Sequence, residues 1–126
     1  MQNPAVQAYQ QTARQTVAPR DLEANLLSSA AAHFHRIRDD WNLLASELPI
    51  ALKFNRKLWT VFITSVVDEE SQLPQDVRQH IANLGVFVLS QTAELQVAPA
   101  PEKLDALIRI NRELAAGLRG SASDAE

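Results

Sequence analysis

Cysteine is absent from this 126-residue chain, which excludes a disulfide framework, a thiolate metal site and a cysteine nucleophile. Glycine occurs only at Gly85, Gly117 and Gly120, so no glycine-rich phosphate loop can form, and no nucleophile elbow or kinase-type signature occurs either. No run approaches the roughly 20 apolar residues that span a bilayer. The opening residues Met1-Gln2-Asn3-Pro4-Ala5-Val6 lack the basic and apolar regions of a secretory leader. These absences lead us to expect a soluble cytoplasmic protein. Neither sign of charge dominates: 12 Lys and Arg stand against 15 Asp and Glu, for a net charge of −3. The charges are interspersed, leaving no broad electrostatic footprint for phosphate backbones. The length suits one domain with a single core.

What the chain does have is proline placed as punctuation. Pro4, Pro19, Pro49, Pro74 and Pro101 each precede a helical period, and proline suits the first helical turn because its missing N–H would be unpaired there. Acidic residues follow at Asp21, Glu23, Asp76 and Glu102, where the helix dipole favours them. Five helices are expected. The first, from Asn3 to about Val17, has a thin stripe of Val6, Tyr9, Ala13 and Val17. The second, from Pro19 to about Glu47, carries a broad face of Leu26, Ala30, Phe34, Ile37, Trp41, Leu44 and Leu48. The third, from Pro49 to about Val67, is apolar around most of its circumference and should be the hub. The fourth runs from Pro74 to about Val97, with Gly85 where another helix could approach closely. The fifth runs from Pro101 to about Leu118 and ends at Gly117 or Gly120. No strand-length alternation occurs, so the predicted fold is all-α, a compact antiparallel bundle of about five helices. It forms one domain over 1–120 with a flexible tail at 121–126.

Within the third helix the segment Ala51-Leu52-Lys53-Phe54-Asn55-Arg56-Lys57-Leu58-Trp59 breaks the pattern. At about 100° per residue, Lys53, Lys57, Thr60 and Thr64 form a polar stripe, and Asn55 points away from it, among Leu52, Leu58, Trp59 and Phe62. A near copy, Leu107-Ile108-Arg109-Ile110-Asn111-Arg112-Glu113-Leu114-Ala115, puts Asn111 inward as well. Burying an amide unpaired costs about 1–3 kcal/mol. The two asparagines must therefore pair with each other, cap a broken turn, or meet another chain.

Titratable chemistry is sparse. His33 and His35 are two residues apart and point about 160° from each other on a helix, so they cannot share a metal. His35 and Asp39, four apart, can meet as a surface pair, and His33 reads as a satisfied residue flanking the apolar face. Asp39-Asp40 and Asp68-Glu69-Glu70 read as solvated termini. No catalytic site, metal or cofactor is expected. Lys53, Arg56 and Lys57 form the only concentrated basic patch, and a solvated helix face explains it. Trp41 lies squarely on its helix's apolar face and reads as core. Trp59 suits either the core or an interface anchor.

With these residues in view, the chain resembles the flagellar biosynthesis regulator FlaF family. The resemblance rests on Tyr9, Pro19-Arg20-Asp21-Leu22-Glu23-Ala24, Trp41, the Ala51–Trp59 segment and Leu73-Pro74. Asn83-Leu84 with Phe87-Val88, and Ile110-Asn111-Arg112 with Gly117-Leu118, complete it. It implies a small helical cytoplasmic protein that binds flagellin and promotes its synthesis or secretion as a chaperone or assembly factor, linked to the translational regulator FlbT. Tyr9, Asn55, Arg56, Trp59, Asn111 and Arg112 are the candidate contact residues. The alternative is a post-transcriptional regulator acting with FlbT on flagellin messenger. Direct RNA binding is not expected, because aromatic-plus-basic strips are missing.

Overall fold

The computed structural model describes the backbone of residues 18–68 and 73–124 and the side chains of 20–68 and 73–120. Four long helices make up nearly all of it: α1 (Ala18–Asp39), α2 (Leu48–Val67), α3 (Gln75–Val97) and α4 (Leu104–Asp124). No strand occurs among the described residues. The all-α expectation holds, with four helices rather than about five. The helix expected from Asn3 to about Val17, and Tyr9 within it, lie outside the described residues.

The boundaries follow from local chemistry. The helix expected to continue to Glu47 stops at Asp39, because adjacent acids at Asp39 and Asp40 sit at the negative end of the helix dipole. Asp40 leaves helical geometry with φ −129° and ψ 51°. Its carbonyl then accepts the N–H groups of Leu43 and Leu44 at 3.0 and 2.9 Å. One helical turn, Trp41–Leu44, and a 3-10 turn, Ala45–Glu47, deliver the chain to α2, which has Pro49 in its first turn. Pro74 precedes α3 in an extended conformation, and a 3-10 turn, Pro101–Lys103, opens α4. At the carboxyl end of α3 the Ala98 N–H donates to the Glu94 carbonyl at 2.8 Å, and Lys103 Nζ donates to the Ala98 carbonyl at 2.8 Å. The expected stop at Gly117 or Gly120 does not occur. Neither glycine takes the positive φ of a left-handed cap, so α4 runs on to Asp124 and overlaps the segment 121–126 expected as a tail.

Two helix pairs build the core. The first is α1 against α4, and the second is α2 against α3. α2 also packs on α1 and reaches α4 through buried side chains, so it touches all three other helices, as its nearly all-round apolar surface leads one to expect. The antiparallel sense of α1 and α4 is fixed at both ends. Arg119 donates to Asn25 Oδ1 (2.9 Å) and Ser28 Oγ (3.1 Å), and Arg38 Nη1 donates to Asp105 Oδ1 (2.9 Å). The Asp105 carboxylate and then Asp39 hold the Arg38 guanidinium pKa above its usual value. Leu27, Phe34, Ile37, Leu52, Trp59, Val88, Leu95, Leu104 and Leu107 are fully buried between the pairs, each worth about 1.5–3 kcal/mol of burial. Gly85 permits the α2–α3 approach, since a Cβ there would lie 2.5 Å from the Ile63 side chain and 3.6 Å from Trp59. No helix among the described residues is long and apolar enough to cross a membrane.

Candidate functional site

The two inward asparagines meet. Asn111 Nδ2 donates to Asn55 Oδ1 at 2.7 Å, and Asn111 Oδ1 accepts from Trp59 Nε1 at 2.9 Å. All three side chains have 0% exposure, so this ladder crosses the core from α2 to α4 and back. Trp59 also packs edge-on against Phe62, with ring centroids 5.7 Å apart. One polar group is left over: Asn55 Nδ2 is buried without a partner among the described residues. Of the fates open to these amides, the geometry realises mutual pairing. Of the two places open to Trp59, the core is the one it takes, whereas Trp41 falls short of the core position expected for it. Trp59 is the fully buried one, and Trp41 is only partly buried, packed against the edge of the core.

Of the six candidate contact residues, the structure thus gathers Asn55, Trp59 and Asn111 into the interior. It leaves Arg56 and Arg112 exposed on α2 and α4, and Tyr9 lies outside the described residues. Sequence reasoning missed Thr92, a buried hydroxyl on α3 that donates to the Val88 carbonyl at 2.8 Å. The sequence carried no signal for it, because a threonine bonding back to the preceding turn suits exposed positions equally well. Thr60 and Thr64 make the same bond on the outside of α2.

The surface carries two grooves of different character. α3 and α4 approach each other far less than α1 approaches α4 or α2 approaches α3. Between the start of α3 and the end of α4 lies a groove of about 270 Å³ with a floor of Leu73, Ile81, Leu84, Ile110, Leu114 and Leu118. Val77 sits on its edge at 39% exposure, and Arg20, His80 and Glu113 stand around it. Helical periodicity puts Val77, Ile81 and Leu84 on one apolar face of α3, and Leu114 and Leu118 on one of α4, but does not say how fully another helix covers them. The second, more open groove lies across α2 and α3, lined by Arg56, Lys57, Thr60, Val61, Leu89, Thr92, Ala93 and Gln96.

The two histidines of α1 are in structural pairs. His33 Nε2 and Glu47 Oε1 are 2.7 Å apart, and His35 Nε2 and Asp39 Oδ2 are 3.2 Å apart. Burial pushes the Glu23 carboxyl above its ordinary value, with Arg20 opposing weakly. No cluster of three or more His, Asp or Glu suited to a metal occurs among the described residues.

Comparison with known proteins bears on the same residues. No curated protein and no solved structure matches the chain significantly. The sequence does match the family described as flagellar protein FlaF, over residues 5–118. That span takes in both asparagine-arginine segments, the buried ladder they build and the walls of both grooves, and the chain accordingly belongs to the FlaF family, with a flagellar role.

Proposed function

We propose that this protein binds flagellin and promotes its synthesis, export or assembly by covering an apolar flagellin helix in the groove between α3 and α4. The observation that carries this reading is the parting of α3 and α4. A bundle serving only its own stability would close that seam over Leu84, Leu114 and Leu118, whereas among the described residues they are only partly covered and line an apolar groove. Amphipathic helices dock into such grooves through anchors spaced at i, i+3 or i+4, and i+7, and covering them before assembly suppresses aggregation.

The test is calorimetric titration of purified flagellin into the wild type and into Val77→Glu and Leu118→Glu variants, with thermal unfolding monitored in parallel. The proposal expects stoichiometric binding to the wild type. A carboxylate in the groove should weaken it by at least about tenfold, some 1.4 kcal/mol, while the fold is retained. Full affinity in folded variants would place the contact elsewhere. Binding to an FlbT-like regulator without binding to flagellin would favour the second reading, a regulatory adaptor acting on flagellin expression. That reading draws on the exposed cations of α2.

A further inference from the structure

The basic patch of α2 borders an exposed aliphatic surface, which a merely solvated face does not require. Four of the eight cations described elsewhere in the bundle are engaged, and the unpaired ones among them are not gathered in a cluster of three within five residues. Arg38 pairs with Asp39 and Asp105, Lys103 with Glu94, and Arg119 with Asn25 and Ser28, while Arg78 donates to the Asp68 carbonyl and to Gln75. Lys53, Arg56 and Lys57 are exposed, and their side chains form no hydrogen bond or ion pair among the described residues. Arg56 and Lys57 line a groove in which no described residue contributes a carboxylate. On a chain of net charge −3, this is a concentrated spot of uncompensated positive charge.

The surface beside it is aliphatic and exposed. Val61 is 63% exposed on α2, and Val86 and Val97 are 67% and 87% exposed on α3. Val86, Leu89, Ala93 and Val97 recur at helical spacing, forming a row that spans about 16 Å of α3, or three turns. Leu89 and Ala93 line the groove opposite Val61, Arg56 and Lys57. An apolar row of that length flanked on one side by cations complements one kind of partner.

We propose that this face of the α2–α3 hairpin docks an acidic amphipathic helix of a partner protein. The partner's aliphatic anchors would lie between Val61 and the Leu89–Ala93 row, and its flanking carboxylates would reach Arg56, Lys57 and Lys53. Charge complementarity sets the orientation and speeds encounter, and the aliphatic floor supplies the desolvated contact. RNA is disfavoured as the occupant because the groove offers no aromatic ring for base stacking. The surface is separate from the α3–α4 groove and stands whether or not flagellin occupies the latter.

The experiment uses the full chain and a lactam-stapled peptide of four helical turns. Leucines at i, i+4, i+7 and i+11 are flanked by glutamates in one version and by lysines in its twin, with poly(U) as a third probe. Fluorescence anisotropy at low salt should show the glutamate peptide binding at least about tenfold tighter than the lysine peptide, a difference of some 1.4 kcal/mol. Arg56→Glu with Lys57→Glu should invert that preference, Val61→Asp should abolish binding, and Arg109→Glu on another helix should leave it unchanged. Equal binding of the two peptides by the wild type would overturn the proposal without recourse to any variant. So would tighter binding of poly(U) than of the glutamate peptide.

Discussion

Asn55 and Arg56 are neighbours in the chain and lie in different physical worlds. The Asn55 amide is fully buried and hydrogen-bonded to Asn111, while the Arg56 guanidinium stands in water at the rim of a groove. The second copy of the segment divides in the same way, with Asn111 inside and Arg112 outside. One helical step of about 100° accounts for both splits. The comparison teaches that a recurrent asparagine-arginine pair need not be one site. The amides fix how α2 meets α4, and the cations are left free to meet something else.

Substitutions at Asn111 sharpen this division most. Asn111 both accepts from Trp59 and donates to Asn55, so Asn111→Leu strands a buried indole N–H together with the whole Asn55 amide. At about 1–3 kcal/mol for each buried group left unpaired, the expected loss is roughly 2–5 kcal/mol by denaturant unfolding. Asn55→Leu should cost at most about 2 kcal/mol, because it strands only Asn111 Nδ2 and removes the already unpartnered Asn55 Nδ2. Equal costs at the two positions would show that the ladder is not ordered as described. Gly85→Ala comes next. A methyl group pressed on Ile63 outweighs the helix propensity that alanine gains, and the net effect should be a loss of about 1 kcal/mol, read as a lowered unfolding midpoint.

The outer half of the comparison predicts small numbers. Arg56→Ala and Arg112→Ala should stay within about 0.5 kcal/mol of the wild type, as surface changes do. A larger loss in the same unfolding assay would mean that these cations hold the bundle together after all. The smallest effect belongs to Glu23, whose folded-state pKa is raised by burial. Below the ordinary glutamate value both folded and unfolded states hold the proton and nothing is lost. As pH rises through that value the unfolded chain ionises first, and stability falls until the folded-state carboxyl ionises too. Glu23→Gln should therefore raise the melting temperature slightly at neutral pH and leave it unchanged near pH 4. A wild-type advantage at neutral pH would reverse the sign.

Much of the fold was legible because proline and hydrophobic period agree. Pro49, Pro74 and Pro101 stand at or beside the starts of α2, α3 and the turn that opens α4. The inward placement of both asparagines follows from the same period. What was not legible depended on contacts between helices. Whether Asn55 reaches Asn111, 56 residues away, is decided by how two helices cross, and periodicity fixes only the face. Trp41 departs from its expected core position for a related reason: it sits beyond the break at Asp40, at the edge of the bundle, whereas Trp59 sits where α2 meets both α3 and α4. The grooves are a property of how α3 sits against α4 on one side and α2 on the other, which no single helix encodes.

The most direct test titrates flagellin into folded wild type and Asn55→Leu and measures unfolding on the same samples. The account predicts that Asn55→Leu shifts the unfolding midpoint while flagellin binds both proteins with the same affinity. A loss of affinity with the midpoint unchanged would contradict it, placing the asparagine ladder in the contact surface and not in the core.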